Sequence, residues 1–119
     1  MALQAGTQAG RDFSYRTESI ENGLLVMCKG RLVAGATSGF LADVKMMFRP
    51  DQRIVLDLCD VTHLDSSGLG ALVQVLVSSR SAGCRLQLYN LSRPVKQLFG
   101  ITHLLNAFEN CGAYLTKMP

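Results

Sequence analysis

The sequence has no tryptophan, only three prolines among 119 residues, and 7% aromatic residues. No Cys-x-x-Cys pair occurs; the four cysteines (Cys28, Cys59, Cys84 and Cys111) are separated by 31, 25 and 27 positions. Neither histidine, His63 or His103, completes a zinc-ligand spacing, so a structural zinc site or a disulfide framework is not the expectation. Reduced thiols are expected, with Cys28 and Cys59 packed as small hydrophobes inside apolar runs. No charge of one sign predominates: the formal net charge is +3 and the basic residues are scattered singly. That pattern, without a recognisable reader motif, argues against nucleic-acid binding. The longest apolar stretch, Leu69 to Val77, is interrupted by Gly70 and Gln74 and is too short to insert directly into a membrane. Residues 1–10 have neither a basic start nor an apolar run, which excludes a signal peptide and points to a cytoplasmic location. The Ala/Gly/Gln-rich start carries no dimerisation signal.

What is present is ordinary globular chemistry. Hydrophobic residues make up 48% of the chain and charged residues 18%, enough for one core and one domain. Residues 1–11 read as a flexible tail and 12–119 as the domain. Phe13, Tyr15 and Thr17 alternate with polar neighbours, and Asn22-Gly23 is a strong hairpin turn, so two antiparallel strands are predicted, the second about Leu24 to Lys29. Thr37 or Ser38 is the expected cap of a helix bearing Phe40, Val44 and Met47, with Leu41 and Phe48 beside them, ended by Pro50-Asp51. The nearly continuous apolar run Arg53 to Cys59 has the form of a central strand covered on both faces. A helix with Leu69, Leu72, Val73 and Leu76 on one stripe follows, closed by Gly83. Arg85 to Asn90 alternates as a further strand. Pro94 sits just inside a third helix, which Gly100 is expected to stop. Ala107 to Leu115 fits either an edge strand or a short helix. Strands alternating with helices imply an α/β domain whose mixed, mostly parallel central sheet has four or five strands, with helices packed against it.

The chemistry concentrates in Asp65-Ser66-Ser67-Gly68-Leu69-Gly70, where a buried strand turns into a helix. The first N–H groups of a helix lack internal partners, and Asp and Ser supply oxygens to them. The segment is therefore a helix cap first. The same place favours added negative charge, so phosphorylating a serine there would alter an exposed surface without breaking the fold. His63, Asp65 and Ser66 do not make a convincing hydrolase: there is no Gly-x-Ser-x-Gly elbow, and the chain turns between Asp65 and Ser66. Nor does the segment contain the lysine of a P-loop.

Ile54-Val55-Leu56-Asp57-Leu58, then Val61 through Leu72 with its Asp-Ser-Ser-Gly-Leu-Gly string, then Ser92-Arg93-Pro94-Val95 and Ile101-Thr102-His103-Leu104-Leu105, resemble the STAS family (sulfate transporter and anti-sigma factor antagonist) over about residues 13–110. The resemblance implies a STAS domain without catalytic residues or cofactor, acting as an anti-sigma factor antagonist in a bacterial partner switch. Such an antagonist binds an anti-sigma factor that is also a serine kinase, is inactivated by phosphorylation at the position of Ser66, and is reset by a serine phosphatase. The implied partner surface comprises Asp65, Ser66, Ser67, Gly68 and Leu69, with Arg31 and Val33 from the loop after the second strand. That loop often reads Gly-Glu-Leu-Asp in these antagonists. Here it is Gly30-Arg31-Leu32-Val33, with arginine and valine in place of the two acids. The alternative the resemblance leaves open is a STAS scaffold or transporter-associated subunit that binds partners without being phosphorylated.

Overall fold

The computed structural model describes Thr7–Gly10, residues 12–102 and Tyr114–Leu115. The element order is β1 (Thr7–Gly10), β2 (Phe13–Ile20), β3 (Gly23–Leu32), α1 (Thr37–Lys45), β4 (Arg53–Leu64), α2 (Ser66–Ser81), β5 (Arg85–Tyr89), α3 (Arg93–Thr102) and β6 (Tyr114–Leu115). They build one six-stranded sheet in sequence order, in which β1–β2 and β2–β3 are antiparallel and the three remaining pairs are parallel. The α/β class and the mostly parallel mixed sheet agree with the sequence. The strand count is higher, because two short edge strands flank β2–β5.

Each long element follows from its residues. The β2–β3 hairpin closes on Ile20↔Gly23, with Asn22 at φ 62°, the left-handed conformation that Asn tolerates and a tight turn requires. Ile54, Val55 and Leu56 are consecutive and all buried, as a strand covered on both faces demands. In α2, Leu69, Leu72 and Val75 are buried on one face, each contributing roughly 1.5–3 kcal/mol of apolar burial. Phe40 of α1 meets Phe13 of β2 edge to face, with ring centroids 5.3 Å apart. α1 and α2 pack on each other, while α3 lies against β4 with Val95 and Phe99 buried.

Several expectations are corrected. Thr7–Gly10, placed in a flexible tail by its composition, pairs with β2 (Thr7↔Tyr15, Gln8↔Ser14). Backbone pairing at an edge needs no apolar alternation, so the segment Thr7-Gln8-Ala9-Gly10 gave no side-chain signal. The cap of α1 is Ala36, with no side-chain hydrogen bond, and Thr37 is already helical. β4 runs five residues past Cys59 to Leu64. Cys59 is exposed rather than packed, unlike the buried Cys28 and Cys84. Cys59 follows the buried Leu58 and so lies on the opposite face, with the half-buried Asp57; β4 then carries an extra residue, Met27 pairing with Asp57 but Lys29 with Asp60, which leaves Asp60 exposed and returns Val61 to the core. Partial burial and the carboxylates of Asp57 and Asp60 hold the Cys59 thiol protonated, with its pKa raised to about 11. Gly100 does not stop α3, which continues to Thr102. Of the undecided segment from Ala107, only Tyr114–Leu115 is described, as a strand parallel to β5; the rest, like His103 and Cys111, lies outside the described residues.

Candidate functional site

β3 and β4 end side by side, with Leu32 paired to Leu64, and both loops toward helices leave from this carboxyl edge of the parallel pair. Asp65 follows immediately in an extended conformation (φ −110°, ψ −172°) and caps α2. Its main-chain oxygen accepts the first helical hydrogen bond, from Leu69 N at 2.9 Å. Its side chain is divided between two elements. Oδ1 accepts from Gly68 N at 2.9 Å, and Oδ2 accepts from Ala34 N, in the loop after β3, at 3.1 Å. One carboxylate thus caps α2 and ties the β3–α1 loop to it. These backbone donors, Gly68 first, hold the Asp65 carboxyl below its ordinary value despite some opposing desolvation.

Gly68 sets the distance between the two elements. A Cβ at this position would overlap the main-chain oxygen of Leu32 and the Leu64 side chain, so only glycine lets α2 begin this close to β3. Leu69 turns into the core. Of the residues assigned to a partner surface, Gly68 and Leu69 are therefore buried, and Asp65 has both carboxylate oxygens on backbone N–H groups. Ser66 and Ser67 are exposed at the first two helical positions, and their side chains make no hydrogen bond among the described residues. Arg31 is exposed and Val33 half-buried, on the strand end and loop that Asp65 secures.

Behind this edge, β3, β4 and α3 enclose a shallow groove of about 370 Å³. Arg31, Val33, His63, Leu64, Leu98 and Ile101 line it together with Asp65. His63 and the α3 residues were not assigned to a surface from sequence; the exposed Ile101, inside the Ile101-Thr102-His103 string, was the available signal. The His63 ring lies against Thr62 Oγ1 (Nδ1···Oγ1 3.0 Å) and is not hydrogen-bonded to Ser66, so His63, Asp65 and Ser66 are not assembled as a nucleophile, base and orienting acid. Among the described residues there is no group of three His, Cys, Asp or Glu side chains placed to hold a metal. None of the described helices is long and apolar enough to cross a membrane.

This arrangement of a β-hairpin, crossover helices and a glycine-dependent capped α2 coincides with the match of the STAS domain family over residues 14–116. The chain belongs to the STAS domain family. A STAS-domain containing protein of Pseudomonas aeruginosa (strain UCBPP-PA14) is 28% identical over 86 residues, covering 72% of this chain and 85% of the relative. The anti-sigma factor antagonist SpoIIAA in its unphosphorylated form superposes with a TM-score of 0.66 at 16% identity, covering 87% of this chain and 88% of that one. A sulfate transporter family protein from Wolinella succinogenes superposes with a TM-score of 0.64 at 17% identity, covering 79% and 76%. At these identities the structural likeness is one of fold, and this STAS domain shares its fold with antagonist and transporter proteins alike.

Proposed function

We propose that this STAS domain is a non-enzymatic, cytoplasmic anti-sigma factor antagonist in a bacterial partner switch, with Ser66 as its phosphorylation site. The observation that carries this reading is the division of labour at the start of α2. Asp65, Gly68 and Leu69 are committed to building the helix start, while Ser66 and Ser67 stand exposed beside them with no structural partner. A phosphate on Ser66 adds roughly −1.5 to −2 charges at a helix N-terminus, where the dipole favours it. The neighbouring Asp65 carboxylate opposes it in part, and because Ser66 is exposed the modification alters the charge of the surface and not the core. The partners are an anti-sigma factor that is a serine kinase, which binds the unmodified surface, and a serine phosphatase that restores it. No cofactor belongs to the domain itself.

The Arg31 and Val33 departures, together with the fold shared with a transporter family protein, favour a second reading. In it the same surface belongs to a scaffold or transporter-associated subunit that is never phosphorylated. Affinity purification of tagged Ser66→Ala and Ser66→Asp chains from the native cells separates the two. The switch predicts a serine kinase retained by Ser66→Ala and lost from Ser66→Asp. Equal recovery of one partner by both variants would establish the scaffold reading instead.

A further inference from the structure

The basic residues stand singly in the sequence, but the fold gathers three of them at the amino ends of β4 and β5. Arg53 and Arg85 are register partners on these neighbouring strands, and like charges side by side cost stability unless something offsets them. Arg80, in the last turn of α2, and Arg85 both line a pocket of about 550 Å³ between α2 and β5. Arg53 is satisfied by neutral oxygens: Nε donates to Glu21 O at 3.4 Å and Nη1 to Gln87 Oε1 at 3.3 Å. Arg80 and Arg85 are exposed, and neither guanidinium has an ion pair or hydrogen bond among the described residues. A last-turn arginine complements the helix dipole, which accounts for Arg80 alone.

No carboxylate lines this pocket. The sequence has no Asp or Glu from Ser66 to Phe108, a stretch that includes all of α2, β5 and α3. Asp51 meets the pocket's Gly83 through its main chain, its N–H donating to Gly83 O at 2.9 Å, and Glu21 meets Arg53 through its main-chain oxygen. Leu76, Cys84 and Leu86 supply apolar wall. Gln87 completes the lining; its Oε1 is held by Arg53, which leaves its amide NH2 to donate. Two unpaired guanidiniums, an amide donor and an apolar wall are the donor set for a phosphate group attached to a small organic body.

We propose that this pocket binds the phosphate group of a small phosphomonoester, with Arg80 and Arg85 gripping the dianion and Gln87 donating beside them. The site lies at the opposite end of α2 from Ser66, about 20 Å away at roughly 1.5 Å per residue, and does not rest on the partner-switch reading.

Titration of the isotope-labelled full chain with inorganic phosphate and with phenyl phosphate at constant ionic strength, followed by its amide resonances, tests this. Saturable shifts are expected at Arg80 and from Gly83 to Gln87, with dissociation constants raised about tenfold by Arg80→Gln or Arg85→Gln. Lys96→Gln removes the same charge from the exposed side of α3 and should leave binding unchanged, as should Ser66→Ala. Tighter binding of phenyl phosphate than of inorganic phosphate is the expected order; equal affinity overturns the phosphomonoester and leaves a site for free phosphate. The absence of saturable shifts, shifts that sodium chloride reproduces, or a weakening by Lys96→Gln equal to that by Arg85→Gln overturns the site altogether. Both arginines are exposed, so the amide spectra of their variants should keep the dispersion of the folded chain and show that any loss is not unfolding.

Discussion

Two helices of this domain begin at the same edge of the sheet and begin differently. α1 starts at Ala36, whose side chain offers no hydrogen bond to the helix. α2 starts at Asp65, which caps its own helix and also accepts from Ala34 N, in the loop that leads to α1. The start of α1 therefore depends in part on the start of α2. Gly68 adds a steric requirement at α2, where a Cβ would overlap the Leu32 carbonyl. The difference teaches which parts of the Asp-Ser-Ser-Gly string are architecture: two residues of the four hold three elements together, and the two serines between them are left to face solvent.

Perturbing α2's start should thus cost more than any comparable change nearby. Gly68→Ala places a methyl group against the Leu32 carbonyl, and a loss of about 1–3 kcal/mol is expected in urea unfolding, read as a lowered midpoint at unchanged slope. Asp65→Ala removes the cap and frees the β3–α1 loop, with an expected loss of about 1–2 kcal/mol. That loss carries a pH signature. The folded-state pKa of Asp65 is depressed, so its contribution is complete above the ordinary aspartate range. It disappears as pH falls through the lowered folded value. The stability gap between wild type and Asp65→Ala should accordingly be constant near neutrality and narrow in acid; a gap that does not narrow at all as the pH falls below the ordinary aspartate range would show the cap to be independent of charge.

Gly70 sharpens the comparison because it lies only two residues from Gly68. A Cβ there meets nothing within 4 Å, so Gly70→Ala should stabilise by about 0.5–1 kcal/mol through helix propensity. The smallest effect is expected at the start of α3. Ser92 accepts the first helical bond through its main-chain oxygen (Lys96 N at 2.9 Å), yet its buried Oγ has no partner. Ser92→Ala should fall within about 0.5 kcal/mol of wild type or stabilise slightly, because an unsatisfied hydroxyl is removed and no cap is lost.

The same contrast explains what was legible from the residues alone. Asn22-Gly23 announced its hairpin, although the left-handed angle falls on Asn22 alone and Gly23 already pairs with Ile20, where a Cβ would overlap the main-chain oxygen of Arg53. Ile54-Val55-Leu56 announced a central strand because no polar residue interrupts it. Local chemistry of this kind also marked Asp65 as a cap. What escaped was contact between distant segments. The bond from Asp65 to Ala34 joins positions 31 residues apart, and the need for glycine at 68 comes from the Leu32 carbonyl of another strand. Leu69 carried two readings, a place on the helix stripe with Leu72 and a place in the motif's partner surface, and its burial follows the stripe. The groove was invisible because its walls come from three elements. Cys59 was misplaced because the run from Arg53 read as covered on both faces throughout, whereas the face opposite the buried Leu58 is open at Cys59.

The central claim is that Ser66 is left free by the architecture in order to be modified. Intact-mass spectrometry of the protein isolated from its own cells, with and without phosphatase treatment and followed by peptide mapping, tests it most directly. The account predicts a phosphatase-sensitive gain of one phosphate that maps to Ser66 and is absent from Ser66→Ala. A Ser66 that stays unmodified under every growth and stress condition would contradict the account and leave a constitutive scaffold.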